Sequence, residues 1–575
     1  MESKPITREA SNDEGKDTKG GIEESPSTST SETTAQEDVM AIPRDSVIVP
    51  SLLLSRMQKI MLSGTISVTY FMMSLSVGSG LLIIPVMADY FDVSVLAVQW
   101  VTSAYQLAYG WSVKPLHSIP SVYWICVEPH WISGLLVSGR LADLYGRKKL
   151  YLLGMLVSTI ANVISGVIPD RIALTVFRAI AGLGLSISTP AGFGIIGITF
   201  REEPSRTIAF AALGVGTPLG AVVGEVVGGL IAGATRKGWQ YLYFLIAGFG
   251  ILPIITGIFY IPSDEKTTPP RGQLTDIPDD PAGKMEKSRK VDWTGAGLIT
   301  VGLSLLLFSF TQAGLVDEGW KTPYVPPVFS ISVILIIVFG IWEYHLEHRV
   351  ANSNVPPIVR LSVFTRHKWR ITAILGIASF DWMGGCGWVY LTSVYYQDLL
   401  GYSPLKNAVH LPPAPITGII CSYLVTLAAP RITAPVLLAL GGISTGLANA
   451  LFAFQPPHSM YWVHKFFGAI LHPFGGDLTI PIGSVMISNL VDDDEQNIAG
   501  ALFQVALQIA GTLDLCLSSI ILTRIESMHD LLEGLRISLW FNAACCWLVL
   551  VIIFLAFRKI GLAKDVAKAI RMVKE

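Results

Sequence analysis

The stretch Gly139-Arg-Leu-Ala-Asp143-Leu-Tyr-Gly146-Arg147-Lys148-Lys149 decides the fold class of this 575-residue chain. It joins the end of one apolar segment to the start of the next, near Leu150. Lys and Arg residues that cluster at the ends of membrane spans stay on the cytoplasmic side. The two glycines allow a tight turn between helices, and Asp143 can pair with a neighbouring cation. The stretch therefore predicts a membrane protein with several spans and indicates its orientation.

The composition supports a membrane protein. Hydrophobic residues make up 51% of the chain, charged residues only 15%, and the mean hydropathy is +0.53. A soluble protein of this size carries about 25% charged residues. The six cysteines lie in or near apolar segments without metal-ligand spacing, so we expect free thiols and neither a metal site nor a cofactor. The expected surroundings are a lipid bilayer, with no nucleic-acid partner.

Segments of about 20 apolar residues, the length that crosses a bilayer, recur along the chain. We predict an all-α protein with fourteen spans in groups of six, two and six. The first six lie near 62–88, 97–110 with 134–139, 149–168, 172–197, 206–232 and 239–261, and the extra pair near 293–313 and 325–345. The last six lie near 371–393, 406–428, 433–455, 460–489, 497–522 and 536–557.

The spans divide the chain into regions with different expected environments. We predict an N-terminal six-helix bundle (56–261), two extra helices (293–345) and a C-terminal six-helix bundle (371–558). The polar residues 1–55 predict a disordered cytoplasmic tail, 262–292 a cytoplasmic linker, 346–370 a cytoplasmic loop and 559–575 a second cytoplasmic tail. Most of the 41 Lys and Arg residues then lie on the cytoplasmic side, which supports cytoplasmic termini.

The predicted second span is interrupted by residues 111–133, which carry Lys114, Glu128 and three prolines. Such residues are costly at membrane depth unless they are buried in protein. Without them, 97–110 and 134–139 join into one span of ordinary length. Our hypothesis is that this suspect insertion is a retained intron in a eukaryotic gene. A genuine re-entrant loop is the alternative.

Sequencing of the transcript tests the intron hypothesis. We expect a message that lacks the codons for residues 111–133 and encodes a continuous second span. A message that carries all of these codons contradicts the hypothesis and favours the re-entrant loop.

The turn at Gly139–Lys149 resembles the loop signature G-x-L-a-D-x-x-G-R-K of the major facilitator superfamily. Fourteen spans with a central extra pair resemble its fourteen-span drug:proton antiporter family, over about residues 60–560. The resemblance implies the major facilitator fold. It also implies that Gly139, Asp143, Gly146 and Arg147 form a gating motif that latches the two bundles in one conformation. A turn that only anchors the topology is the alternative.

Two further motifs are similar to those of this family. Arg178, in Leu174-Thr-Val-Phe-Arg178-Ala-Ile-Ala-Gly182-Leu-Gly184, matches an Arg that the family links to proton transfer, although Ala181 replaces the usual Gln. An Arg inside a span usually has a partner or a function, and an Arg that reaches the membrane interface is the alternative. The fifth span resembles the family's antiporter motif, which is associated with export, at Gly220, Gly224, Gly228 and Gly229. Four of its glycines recur every four residues and form one helical face for close packing: Gly216, Gly220, Gly224 and Gly228.

The chain departs from the family in two places. Glu225 stands where the antiporter motif has Pro, and it is either a proton site or a structural group. The first span carries Ser76-Val-Gly-Ser-Gly-Leu-Leu-Ile-Ile-Pro85, without the acid that many relatives have there. Proton coupling must therefore use other groups, and the candidates are Arg178, Glu225 and Asp381.

The second half contains further candidates for binding. Acidic residues inside membrane spans are candidates for functional sites by default, and the second half has three of them, Asp381, Asp477 and Asp514. Aromatic residues beside a carboxylate suit a mixed apolar or cationic substrate, although packing alone is an alternative. The candidates for the substrate cavity are Trp382, Tyr390, Asp477, Gln504 and Gln508. We expect the acidic run Asp492–Glu495 to be a solvated loop that caps the next helix.

We predict a proton-coupled secondary transporter that exports small organic molecules by alternating access. We do not expect an enzyme, because the sequence has no clustered His or Cys ligands and no nucleophile motif. The chain has no G-x-x-x-x-G-K-[ST] signature for ATP. The expected partners are a small organic substrate and protons, the expected state is a monomer, and the expected location is the plasma membrane or the vacuolar membrane. The polar tail and the interruption favour a fungal source. A permease for a small ion or solute, such as ammonium or borate, is the alternative.

Overall fold

A computed structural model describes residues 54–93, 98, 101, 105, 134–200, 205–235, 237–263, 291–315, 318–348, 357–402, 404–410, 412–457, 459–492 and 495–557. Within these ranges the protein has sixteen α-helices, a 3₁₀ helix at Gly319–Lys321, a π-helix at Tyr395–Leu399 and no β-strand. The predicted tails, the linker and the suspect insertion 111–133 lie wholly or largely outside the described residues.

The helices follow the predicted order of two bundles with an extra pair between them. The first bundle contains α1 (Arg56–Phe91), α2 (Gly134–Tyr145), α3 (Arg147–Val167), α4 (Arg171–Thr199), α5 (Ser205–Ala234) and α6 (Gly238–Tyr260). The extra pair is α7 (Trp293–Leu315) and α8 (Val325–His348). The second bundle contains α9 (Ser362–Val394), α10 (Pro404–His410), α11 (Pro413–Ala428), α12 (Ala434–Phe454), α13 (Lys465–Leu471), α14 (Phe474–Leu490), α15 (Gln496–Glu526) and α16 (Leu531–Ala556).

Most predicted spans correspond to one helix, and two are divided. Eleven segments in the described ranges are long and apolar enough to cross a membrane, so the count of fourteen stays a prediction. The predicted span 406–428 is divided into α10 and α11, and 460–489 into α13 and α14. Both divisions lie beside prolines, Pro412 and Pro473, which lack the N–H that a continuous helix needs.

Helix α9 begins earlier than the predicted span, inside the predicted loop 346–370. Three consecutive residues there, His367, Lys368 and Trp369, have positive φ angles of 53°, 60° and 64°. The ring of His367 lies 3.1 Å from the backbone oxygen of Leu490, at the end of α14. The loop therefore ends in a helical turn that packs against the second bundle.

The outer faces of the helices are apolar. On α8, Ile334, Ile337 and Ile341 are each more than half exposed, and their spacing places them on one side of the helix. Such a stripe suits contact with lipid, because lipid tails carry no hydrogen-bonding groups. The arrangement is that of a multi-pass membrane protein.

The glycines of α5 bring its backbone against α1. A Cβ atom on Gly220 would lie 2.3 Å from the backbone oxygen of Phe71. The same approach recurs at every fourth residue of both helices, with Gly216, Gly224 and Gly228 opposite Ser67, Leu75 and Ser79. Small residues at this spacing let two membrane helices pack at short distance. The side of α5 that carries these glycines therefore faces α1.

Replacement of Gly220 by alanine tests this packing. The new methyl group meets a backbone oxygen that no side-chain rotation can move, so we expect the two helices to separate and the protein to lose about 1–3 kcal/mol of stability. Thermal unfolding of the purified protein in detergent measures this loss. Gly248→Ala on α6 is the control, because a Cβ there has no atom within 4 Å. Equal melting temperatures for both variants would contradict the close packing.

Candidate functional site

The turn between α2 and α3 contacts the second bundle through Asp143. Its Oδ1 accepts a hydrogen bond from Arg147 Nη2 at 3.0 Å and a second one from the side-chain amide of Asn497, at the start of α15. The side chain of Asp143 is only 6% exposed. This carboxyl lies beyond the predicted end of the span at Gly139. Its pKa is raised to about 7, because the effect of burial exceeds the opposing effects of Arg147 and Asn497. The motif thus joins the two bundles through a buried, charge-assisted contact.

Glycines make room for Asn497 on both of its sides. A Cβ on Gly139 of α2 would lie 3.0 Å from the backbone oxygen of Asn497. A Cβ on Gly194 of α4 would overlap the side-chain oxygen of Asn497, at 1.6 Å. The first turn of α15 is therefore held between α2 and α4, in a space that larger residues would fill.

A second contact joins the bundles at the same end of the molecule. Arg206, in the first turn of α5, donates hydrogen bonds to the backbone and hydroxyl oxygens of Ser488 on α14, at 2.9 and 2.5 Å. The Ser488 hydroxyl also bonds to Gln496 at 2.6 Å. We call the end of the molecule that holds these contacts and the Gly139–Lys149 turn the motif end. Its contacts close the space between the bundles there.

In the acidic run before α15, Asp492 is exposed, as predicted for a solvated loop, and Glu495 is the N-cap of the helix, but Glu495 is buried. Glu495 is only 5% exposed and accepts a bond from Arg360 Nη1 at 3.1 Å. The reason is that Arg360 comes from the segment after the extra helices, which folds over the start of α15. Residues 493 and 494 lie outside the described ranges.

Arg178 is enclosed by neutral groups of the first bundle. It is 1% exposed, and it donates hydrogen bonds to Asn162 Oδ1 at 2.9 Å and to Ser76 Oγ at 2.6 Å. Its guanidinium lies over the rings of Tyr105, at 4.2 Å, and Tyr243, at 4.8 Å. The side chain therefore does not reach the membrane interface, which was the alternative interpretation. Ser76 belongs to the first-span segment that lacks the acid of many relatives.

The other proton-coupling candidates lie in different surroundings. Asp381 of α9 is 1% exposed and accepts a bond from Thr479 of α14 at 2.7 Å, while its Oδ1 has no hydrogen-bond partner in the described part of the protein. Glu225 lies within α5, but its side chain is outside the description, as are the surroundings of Gly229. Arg178 and Asp381 therefore lie in separate bundles, each with neutral partners.

The structure brings together some of the predicted cavity residues. Gln504 Nε2 of α15 lies 3.4 Å from the hydroxyl of Tyr70 on α1, across the two bundles, and Gln508 follows on the same face. The ring of Trp382 on α9 lies beside α14, where a Cβ on Gly476 would meet it at 3.3 Å. The next residue of α14, Asp477, faces α11, where a Cβ on Gly418 would meet its Oδ2 at 2.6 Å.

Tyr390 lies apart from this group. It is eight residues beyond Trp382 on α9, about 12 Å along the helix axis, and its hydroxyl hydrogen-bonds to Ser519 of α15. Its position separates it from the other four predicted cavity residues.

Sequence reasoning missed Asn497 and Asn162. A signal for Asn497 existed, because positions 497, 504 and 508 share one face of α15 and all three are amides. For Asn162 the sequence offers no comparable signal, because a single amide in an apolar segment does not reveal its partner.

Two helical bundles that close against each other at one end, with buried ionisable groups in each, are the arrangement expected of a membrane transporter. The comparisons with known proteins identify its family. The profile of the Major Facilitator Superfamily matches residues 66–513, and the chain belongs to this superfamily. It is therefore a transporter rather than an enzyme.

Relatives and solved structures agree with this family. The chain is 24% identical to the "Efflux pump terJ" of Aspergillus terreus over 80% of each chain. It is 25% identical to the "Low affinity ammonium transporter" of Saccharomyces cerevisiae, over 71% of this chain and 78% of the relative. The proton:xylose symporter XylE matches 90% of this chain and 98% of its own, at 12% identity and a TM-score of 0.56, which shows a common fold.

A double-mutant cycle tests the contact between Asp143 and Asn497. We expect Asp143→Ala and Asn497→Ala to couple by about 0.5–3 kcal/mol in thermal unfolding, because each variant removes the same buried hydrogen bond. The control cycle pairs Asp143→Ala with Asn449→Ala, whose amide bonds within the second bundle. Additive effects in both cycles would refute a direct contact across the bundles.

Proposed function

We propose that this protein is a proton-coupled transporter that exports small organic molecules across a membrane by alternating access. In this proposal it has fourteen spans with both termini in the cytoplasm and acts as a monomer, in the plasma membrane or alternatively in the vacuolar membrane. The motif end then faces the cytoplasm. Its closed contacts correspond to a state that opens to the other side.

The observation that carries the proposal is the enclosure of ionisable groups without charged partners. Among the described residues, neither Arg178 nor Asp381 forms an ion pair. An ionised carboxylate is costly in such a place, so the neutral acid is the favoured form of Asp381 unless water or a cation reaches it. A carboxyl that is neutral when closed and ionised when open binds and releases one proton in each cycle.

Export, rather than import, is supported by the first bundle and by the relatives. The glycine face of α5, at Gly216, Gly220, Gly224 and Gly228, packs along α1 and resembles the antiporter motif. The similarity to a protein named as an efflux pump points in the same direction. We assign gating to Gly139, Asp143, Gly146 and Arg147 because Asp143 joins the bundles at the motif end.

In this proposal the organic substrate binds between the two bundles. Gln504, Gln508, Trp382 and Asp477 lie on helices α9, α14 and α15, and Gln504 contacts α1. Amides, an indole ring and a carboxylate together suit a partly apolar molecule with hydrogen-bonding groups or a positive charge. Tyr390 is a weaker candidate because it lies about 12 Å from Trp382 along α9.

Uptake of a small cation is the second candidate function. It is favoured by the similarity to a protein named as an ammonium transporter. Such a carrier needs only a small site with acceptor oxygens.

Transport assays in a yeast strain that lacks its own drug transporters distinguish the two functions. The probes are a rhodamine dye, aminotriazole and radiolabelled methylammonium. We expect the chain to lower the accumulation of at least one organic probe, and a protonophore to abolish this effect. Unchanged organic accumulation together with increased methylammonium uptake would reject export in favour of cation uptake.

The variant Asp381→Asn tests proton coupling by this carboxyl. The amide keeps the size of the side chain but cannot exchange a proton, so we expect proton-driven efflux to fall at least about tenfold at equal expression. Glu526→Gln, at an exposed carboxylate near the end of α15, is the control and leaves efflux unchanged. Efflux by Asp381→Asn with the pH dependence of the unaltered protein would remove Asp381 as the proton carrier.

A further inference from the structure

A second buried carboxylate lies in the interior of the second bundle, near the middle of α15. Asp514 is fully buried, and the hydroxyl of Ser518, one turn further along the helix, lies 3.4 Å from its Oδ1. The same hydroxyl lies 3.2 Å from Oδ1 of Asn542 on α16, which is also fully buried. A single serine proton is therefore shared by two acceptors.

The other polar atoms of this pair have no partner in the part of the chain that the structure describes. These atoms are Oδ2 of Asp514, an acceptor, and Nδ2 of Asn542, a donor. An unpaired buried polar group costs about 1–3 kcal/mol, and two such groups with opposite roles in one place need an explanation.

A glycine on α9 creates the space into which both atoms point. A Cβ on Gly387 would lie 2.0 Å from Asn542 Nδ2 and 2.5 Å from Asp514 Oδ2. The amide and the carboxylate therefore converge on the same point from two helices, where every other residue type would place a side chain. Nδ2 is a donor and Oδ2 an acceptor, so the two atoms can bond to each other directly after a small rotation of either side chain.

The surroundings of Asp514 supply no compensating positive charge. The titratable groups that interact with it are the thiols of Cys386 on α9 and of Cys545 and Cys546 on α16. The thiol of Cys546 also interacts with Asp381, which is the next carboxylate in this region. Helix α7, which packs against α15, carries no charged or titratable residue.

Asp381 lies six residues before Gly387 on α9, about 9 Å away along the helix axis and about 120° around it. Asp381 faces α14 through Thr479, whereas Gly387 faces Asp514 and Asn542. Between them, a Cβ on Gly384 would meet the sulfur of Cys546. The two carboxylates therefore belong to two separate sites on different sides of α9.

We propose that Asp514, with Asn542 and Ser518, is a second proton-binding site of this transporter, located at the space that Gly387 leaves open. Oδ2 takes up a proton from water when the bundle opens and returns it to water when access changes. An O–H bond of a hydronium ion breaks as the O–H bond at Oδ2 forms, which leaves water and a carboxylic acid, and release is the reverse of this step. In the ionised state the amide of Asn542 and the hydroxyl of Ser518 donate to it. The role in transport rests on the proposed proton coupling, whereas the binding of the proton does not.

Infrared difference spectroscopy of the purified protein during a pH titration tests the site without a transported substrate. A protonated carboxyl has a C=O stretching band that a carboxylate lacks. Among the bands that titrate in the unaltered protein, we expect one to disappear in Asp514→Asn and to persist in Asp381→Asn. Identical titrating bands in the unaltered protein and in Asp514→Asn would overturn the proposal.

A glycine variant keeps the test decisive if Asp514→Asn fails to fold. In Gly387→Ala the methyl group displaces the Asn542 amide, so the ionised form loses a donor and we expect the site to bind its proton about tenfold more tightly. Gly376→Ala on the same helix, where a Cβ meets only Ile552 at 3.7 Å, leaves the titration unchanged. Equal titrations in these two variants would also overturn the proposal.

Efflux measurements separate this proposal from the proposed function. Proton-driven efflux that is the same in Asp514→Asn and in the unaltered protein would remove Asp514 from the transport cycle and leave the proposed function intact. A titrating Asp514 in a protein without proton-driven efflux would reject the proposed function and leave the proton site.

Discussion

The enclosure of one guanidinium organises the first bundle. Arg178 of α4 is bound by Ser76 of α1 and Asn162 of α3, and it lies between the rings of Tyr105 and Tyr243. An Arg at membrane depth costs several kcal/mol unless it finds such partners, and it cannot lose its proton to escape that cost. The four elements that supply these groups must therefore keep their positions around α4. The close packing of α5 on α1 then attaches the fifth helix to the same assembly.

The second bundle buries acidic groups instead of a cation. Its interior holds the acids Asp381 and Asp514, whose described partners are hydroxyl groups, and no Lys or Arg pairs with either of them in the described ranges. Unlike arginine, a carboxyl can become neutral by binding a proton. The described ion pairs lie elsewhere, at Asp143–Arg147, at Arg360–Glu495 and at His529–Glu533. A fixed positive charge in one bundle and carboxyl groups in the other give the two halves different chemistry on a common architecture.

Periodicity in the sequence predicts local structure well and partners poorly. The spacing of Gly216, Gly220 and Gly224 indicates a smooth face on α5, but only the structure shows that α1 covers it. The reason is that a helical repeat determines which residues share a side, whereas the neighbour depends on the whole topology. The divided helices at Pro412 and Pro473 had a local signal in the prolines themselves. Gly387 had none, because its importance comes from two side chains that are more than 120 residues away in the sequence.

Helix α15 connects the motif end with the interior of the second bundle. Its positions 497, 504 and 508 share one face, which meets the first bundle through Asp143 and Tyr70, whereas Asp514 and Ser518 face α16 and α9. Asn497 and Asp514 are about 25 Å apart along one continuous helix. In the proposal of a proton site at Asp514, a shift of α15 against α9 on protonation also displaces Asn497 from Asp143, because both residues belong to this helix. The proposed proton site and the proposed gate are then coupled through one element, without a chain of intermediate side chains.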